Sequence, residues 1–193
     1  MIPAESEKDF VQGSIKRVFP SPGTTLYNLI TDTEYTREFH TRLKQGNHWV
    51  ASMYKLRILP LFGLSGQIML LSTRGRKSLK MRDTPIGYFR IDGLIHVFSG
   101  WGKAANWYQN ILAYPDDVYL QIGFHRSHVC AEVVEDPHVL QHLYEQLAMH
   151  DPHAAHTLMG WDPNEDCLEL ADFSLMIEKV LVVRFNPRGS RSI

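Results

Sequence analysis

Cysteine is nearly missing from these 193 residues, with only Cys130 and Cys167 present. Two thiols cannot build a disulfide framework, and they read as buried, inert groups of a protein kept in a reducing cytoplasm. An excess of one charge is lacking too. Lys and Arg number 20 and Asp and Glu 21, so the net charge of −1 excludes the strongly basic balance of a generic nucleic-acid binder. No stretch reaches the ~20 apolar residues that a spanning helix needs. The most apolar segment, Leu56 to Leu71, is interrupted by Pro60, Gly63 and Gly66. That excludes an integral membrane segment and leaves peripheral contact with a membrane surface open. Met1 to Phe10 carries three acidic residues and no apolar run, which argues against a secretory leader. No internal repeat appears. The 10 histidines fall partly in close sets, His125/His128, His138/His142 and His150/His153/His156. No cysteine-rich partner or glutamate-containing zinc signature accompanies them, so no metal site is nominated.

What remains is ordinary globular usage, 44% hydrophobic and 21% charged. A chain of this length buries roughly 70% of its unfolded surface in one domain. Pro20-Ser21-Pro22-Gly23 marks a break after a polar start. Thr24 to about Arg42 reads as one helix with Leu26, Leu29 and Ile30 on its apolar side, and Asn47 to Leu64 is ambiguous. From Gln67 the pattern becomes strands. Gln67–Thr73 leads into a basic turn, and Thr84–Ile91 and Leu94–Phe98 flank Asp92-Gly93, the pair that a type I′ hairpin favours. Lys103–Ala113 reads as a helix with Trp107, Ile111 and Leu112 inward. Val118–Ile122 and Ser127–Glu135 read as strands, and Asp136-Pro137 as the start of a helix running to about Met149. A polar, proline-broken stretch follows, and Val180–Phe185 is the last strand. Hairpins with inserted helices predict an antiparallel α+β barrel rather than a parallel sheet.

Two segments carry chemistry. Between Arg74 and Arg82 stand five cations, with Gly75 and Ser78 among them. Backbone N–H groups, a hydroxyl and fixed positive charge suit a phosphate or polycarboxylate. Arginine grips such anions with two points, whereas Lys77 is a movable point charge. A solvated hairpin loop is the plain alternative, and the Walker glycine spacing is not met. The second segment is Ser99-Gly100-Trp101-Gly102-Lys103-Ala104-Ala105-Asn106-Trp107-Tyr108. Small residues admit a planar ligand to the backbone, and a helix start favours its anionic edge. Here the plain alternative is a strand-to-helix turn with Trp107 and Tyr108 packed in the core.

Together, Leu70-Leu71-Ser72-Thr73-Arg74-Gly75-Arg76-Lys77-Ser78, Arg82, Thr84-Pro85, Ser99-Gly100 and Asn106-Trp107-Tyr108 resemble the deazaflavin-dependent nitroreductase family. Asn110-Ile111-Leu112-Ala113-Tyr114-Pro115 continues the match. The resemblance spans about Gly66 to Phe185, with its specific motifs between Leu70 and Pro115. It implies a split β-barrel over residues 63–193, preceded by an extension, 1–62, whose helix packs on the barrel. It implies coenzyme F420, a deazaflavin with a phosphate and polyglutamate tail. By position, Arg76, Lys77, Ser78 and Arg82 would hold that tail, and Thr84 and Pro85 would lie along the ring. Ser99, Gly100 and Trp107 would line the ring pocket, with Thr73, Gly102 and Lys103 completing the set. The implied activity is an F420H2-dependent, nitroreductase-like transfer of hydride to a small molecule: a nitro compound, a quinone or an activated alkene. The cofactor supplies the chemistry, so no protein nucleophile or base is nominated.

The sequence departs from the pattern in places. Leu79 stands where the family commonly has Gly, Met81 where it has Pro, and Trp101 where many members have Lys or Arg. Lys103 is the substitute for that missing cation. No tyrosine follows the late helix, which leaves His150 or His153 as a substrate-side donor. FMN on the same fold, or a non-catalytic carrier of flavin, haem or lipid, are the competing expectations. Assembly as monomer or homodimer is left open.

Overall fold

Alternating side chains build the main sheet. The computed structural model describes residues 16–39, 41–42, 51–52, 68–100 and 102–188. Its strands are β1 (Arg17–Val18), β2 (Ile68–Arg74), β3 (Met81–Gly87), β4 (Phe89–Ile91), β5 (Leu94–Ser99), β6 (Val118–Ile122), β7 (His125–Val134), β8 (Ala171–Asp172) and β9 (Leu181–Pro187). The helices are α1 (Thr25–Thr31), α2 (Asn106–Ala113), α3 (Pro137–His150), α4 (Pro152–Met159) and α5 (Ser174–Lys179). Seven strands pair in the order β3-β2-β6-β7-β9-β5-β4, all antiparallel, while β1 and β8 form a small parallel ladder. β3 also touches β5, which curls the sheet into a split β-barrel.

The two faces of the sheet carry separate cores. On the inner face Met69, Leu71, Val97, Val118, Leu120 and Val183 pack with Trp107, Tyr108 and Ile111 of α2. On the outer face Val134 and Val182 pack with Leu26 of α1, Leu143, Tyr144 and Leu147 of α3, Met159 of α4 and Met176 of α5. Alternation decides membership of each core, since neighbouring residues on a strand face opposite ways.

Several expectations hold. Asp92 and Gly93 both take positive φ, 50° and 75°, at the β4–β5 turn. Asp136 caps α3 by accepting from the N–H of His138, with Pro137 at the first position. Other features differ. The single helix expected from Thr24 stops at Thr31, because the Asp32 carboxylate accepts from the N–H groups of Glu34 and Tyr35 and starts a new helical stretch over 33–39. The strand expected over Thr84–Ile91 is split at Tyr88 into β3 and β4, and a 3-10 turn, Gly102–Ala104, precedes α2. Leu112 is 54% exposed, because the buried side of α2 runs through Trp107, Tyr108, Asn110 and Ile111. The stretch after Met149 contains α4 and α5. Asp151-Pro152 repeats the Asp-Pro start of α3, with the Asp151 carboxylate accepting from Ala154 N–H. Cys130 and Cys167 are both exposed: Cys130 alternates outward between Val129 and Ala131.

Most of Asn47–Leu64, the 62/63 boundary and Trp101 lie outside the described residues. Among the described residues no helix is long and apolar enough to cross a membrane, and no group of three or more His, Cys, Asp or Glu is placed to hold a metal ion.

Candidate cofactor site

The basic turn between β2 and β3 closes on itself. Gly75 N donates to Lys80 O at 2.9 Å, and Leu79 N donates to Gly75 O at 2.7 Å. A Cβ on Gly75 would stand 2.6 Å from Ser78 Oγ and 3.2 Å from Lys80 O, so the turn packs tightly around a residue without a side chain. Leu79 holds φ 58°, in the left-handed region where side chains cost ~1–2 kcal/mol. That geometry accounts for the glycine common at this position in the family resembled, and Leu79 carries its side chain 60% exposed.

The cations of the turn fall into two groups. Arg74 Nε lies 2.6 Å from Asp117 Oδ2, with its guanidinium 5.5 Å from the Tyr114 ring centre. Arg76 is tied to α2: Nη1 and Nη2 each donate to Asn106 Oδ1 at 3.2 Å. Arg82 Nη2 donates to Ser78 Oγ at 3.3 Å, and Arg82 makes no ion pair among the described residues. Lys77 and Lys80 are exposed and make no ion pair among the described residues. The turn therefore presents Lys77, Lys80 and Arg82 outward and anchors itself through Arg74 and Arg76.

The anchor is a residue that sequence reasoning passed over. Asn110 is 6% exposed. Its Oδ1 accepts from Arg76 N at 3.1 Å and from Arg76 Nη1 at 3.4 Å, while its Nδ2 donates to Thr73 Oγ1 at 3.2 Å. One carboxamide thus joins the end of β2, the turn and α2. A usable signal was present, since Asn106 and Asn110 share a helix face at i, i+4, and Asn110 is a polar residue inside an apolar stripe.

Register places the remaining nominated residues. Thr73 pairs with Arg82 and Val118, and Leu71 with Thr84 and Leu120, so Thr73, Arg82 and Thr84 share the inner face with α2. Pro85 pairs with Leu70 and faces the opposite side. Ser99 pairs with Leu181, also on the inner face, and is 5% exposed. Its Oγ is buried without a hydrogen-bond partner among the described residues. Trp107 is buried, edge-on to Tyr108 with ring centres 6.2 Å apart. Gly100 has a different neighbour: a Cβ there would stand 3.0 Å from Leu26 Cδ1 and 3.1 Å from Leu29 Cβ, so its small size admits α1. Gly102 has φ 51°, and Lys103 beside it is exposed. The structure thus groups Thr73, Arg82, Thr84, Ser99 and Trp107 on one face, beside the turn of Arg76, Lys77 and Ser78. The exposed cations of the turn suit the charge of a polyanion, while Thr73, Ser99 and Trp107 are packed in the inner core at 1%, 5% and 5% exposure.

A cleft of about 470 Å³ opens at the other end of β3, between Tyr88–Asp92 and the last turn of α3. The six steps from Met81 to Gly87 separate turn and cleft by ~20 Å. His150 lines the cleft and His153, on α4, does not.

Residues 59–162, more than half of the sequence, match the family model described as F420H(2)-dependent quinone reductase. The chain belongs to that family. Its members are oxidoreductases that use coenzyme F420, which makes this protein an F420H2-dependent reductase. No curated protein sequence matches. Among solved structures, an F420-H2 dependent reductase (FDR-A) is similar at 20% identity over 62% of this chain and 94% of that one, with a TM-score of 0.41. A conserved hypothetical protein from Mycobacterium tuberculosis is similar at 19% identity over 67% and 78%, with a TM-score of 0.43. A third, described as a domain-swapped dimer, shares 21% identity over 72% and 98%, with a TM-score of 0.43. Likenesses this distant carry no argument about activity.

Proposed function

We propose that this reductase passes a hydride from reduced F420, seated against the inner face near Ser99 and Trp107, to a planar electrophile of the quinone class, with nitro compounds and activated alkenes as slower acceptors. The observation that carries the reading is the turn, where Lys77, Lys80 and Arg82 are exposed beside the inner-face residues Thr73 and Thr84. In this reading Lys77, Ser78 and Arg82 hold the phosphate and tail, and Arg76 keeps the turn in place. Thr73, Thr84, Ser99 and Trp107 orient the ring, with Gly100, Gly102, Pro85 and Lys103 shaping the surroundings. When bound, the cofactor supplies the hydride. The protein contributes orientation and exclusion of water, the two terms that fixed positioning of a cofactor delivers.

The acceptor must meet the ring on the inner face, at contact distance for hydride transfer. The cleft beside Tyr88 opens toward the last turn of α3 on the outer side, ~20 Å along β3 from the turn, so neither it nor His150 is assigned to the acceptor. The 1–62 segment is read as an extension whose helix α1 covers Gly100, and the enzyme as cytoplasmic, working as a monomer or homodimer. Steady-state oxidation of F420H2 with a quinone, a nitroaromatic and an activated alkene tests the reading. We expect the quinone to give the highest kcat/KM. Because His150 lines the distant cleft, His150→Ala should leave that value within about twofold. Equal rates for all three acceptors would remove the quinone preference, and a large loss in His150→Ala would make the cleft the acceptor site.

A further inference from the structure

We infer that Asn110 is the positioning residue that makes the basic turn an anion site. This rests on the reading of the turn as the holder of the cofactor tail. Five cations within nine residues repel one another, and a free loop would splay them into solvent. Here the loop is held at its root. The Asn110 carboxamide accepts the Arg76 backbone N–H and, more weakly, its guanidinium, and its amide donates to Thr73 Oγ1 at the end of β2. The assignment of oxygen and nitrogen is fixed by the network, since a backbone N–H can bond only the oxygen. Asn106, one turn earlier on α2, takes both terminal nitrogens of the same guanidinium. Arg76, itself exposed, is thereby held against α2 as a bracket, while Lys77 and Lys80 are left without ion pairs among the described residues. Asn110 is buried, its bond to Thr73 is buried and its bonds to Arg76 are half-buried, whereas Asn106 and its bonds are exposed. The burden of positioning therefore falls on Asn110. The ordering of the turn is complete before a ligand arrives, so the tail binds without bearing that entropy cost itself.

The inference assigns Asn110 no contact with ring or acceptor, and this separates a positioning role from a general structural one. The test is a fluorescence titration of the full chain with F420 and with the same deazaflavin lacking phosphate and glutamates. It compares wild type, Asn110→Ala, Asn110→Asp and Asn106→Ala, together with KM and kcat for F420H2. We expect wild type to prefer F420, and Asn110→Ala to lose about tenfold in F420 affinity, equivalent to one 1.4 kcal/mol step. Its affinity for the tailless ligand stays within twofold. KM for F420H2 rises in proportion while kcat at saturation holds. Asn110→Asp keeps an acceptor for Arg76 but buries a negative charge beside the tail, so it loses at least as much F420 affinity as Asn110→Ala while the tailless ligand is spared. Asn106→Ala leaves the backbone bond in place and loses less than Asn110→Ala. Asn110→Ser replaces the alanine variant where that does not fold. Equal loss of both ligands, or an unchanged F420 affinity in folded Asn110→Ala, overturns the inference and leaves the tail-holding turn standing. A wild type with no preference for F420 over the tailless ligand overturns the tail-holding reading and this inference with it.

Discussion

Two turns of the same sheet each hold a non-glycine residue in the left-handed region, Leu79 at φ 58° and Asp92 at φ 50°, and they do so by opposite means. At β4–β5 the local sequence suffices. A short polar side chain tolerates that conformation, Gly93 follows at φ 75°, and the Asp92 carboxylate meets His142 of α3 at 3.2 Å. At β2–β3 the local sequence works against the shape. A leucine sits where glycine is favoured, with five cations around it, and a buried asparagine from another element holds the loop. The first turn serves the folding of the sheet. The second is strained and held from outside, the arrangement expected of functional sites rather than of folding signals.

The largest effect that would sharpen this contrast comes from charge. Lys77→Ala with Arg82→Ala removes two open cations, and F420 affinity should fall by roughly 10²-fold, since each charge-assisted bond contributes ~1.5–3 kcal/mol. Riboflavin-sized deazaflavin should bind almost as before. Equal loss of both ligands in parallel titrations would deny the turn its role with the tail. Next is Gly75→Ala, whose Cβ would meet Ser78 Oγ at 2.6 Å and Lys80 O at 3.2 Å. The Ser78 hydroxyl must rotate away from Arg82 and the backbone give slightly, at a cost of about 1 kcal/mol measured by urea unfolding. The same substitution at Gly93 meets no atom within 4 Å but is strained by its φ of 75°, so it separates steric from torsional cost.

Of similar size is Leu79→Gly, which should stabilise the protein by about 1 kcal/mol, or ~2–4 °C in Tm, as torsional strain is relieved. Asp92→Gly should give a few tenths at most, because aspartate already tolerates the conformation. A Leu79→Gly variant no more stable than wild type would mean that the exposed leucine contributes contacts that offset its strain.

The smallest effect concerns pH. His96 is buried on the outer face beside Arg184, and burial lowers its pKa below the ordinary 6.5, opposed in part by a Leu94 backbone bond, with smaller pushes downward from the Arg184 charge and upward from the Asp92 charge. Below pH 6.5 the unfolded chain takes up a proton that the folded chain resists, so stability falls as pH drops through that range. Thermal unfolding between pH 7.5 and 5.5 should show about 1 kcal/mol or less of this slope, and His96→Leu should flatten it. A slope that persists in the variant assigns it to other groups.

Much of the fold could be read beforehand because its signals are local. Alternation in Val118–Ile122, the Asp92-Gly93 pair and the Asp136-Pro137 cap each act within a few residues, and each stands in the structure. The α4 helix could have been read by the same rule, since Asp151-Pro152 repeats that cap, but the surrounding histidines and prolines read as a loop. The site divided differently. The basic turn was visible as composition, whereas its anchor was not, because the bond from Asn110 to Arg76 spans 34 residues and depends on α2 packing inside the barrel. Gly100 shows the converse: a small residue next to a binding motif whose closest neighbour is α1. Small size indicates close approach without naming what approaches.

The most direct test of the account is a fluorescence titration of the purified protein with coenzyme F420, with FMN in parallel. Tight binding of F420 with FMN far weaker is the predicted result, since only the longer polyanion reaches Lys77, Lys80 and Arg82 while its ring lies near Ser99. Preference for FMN, or binding of neither, would contradict it.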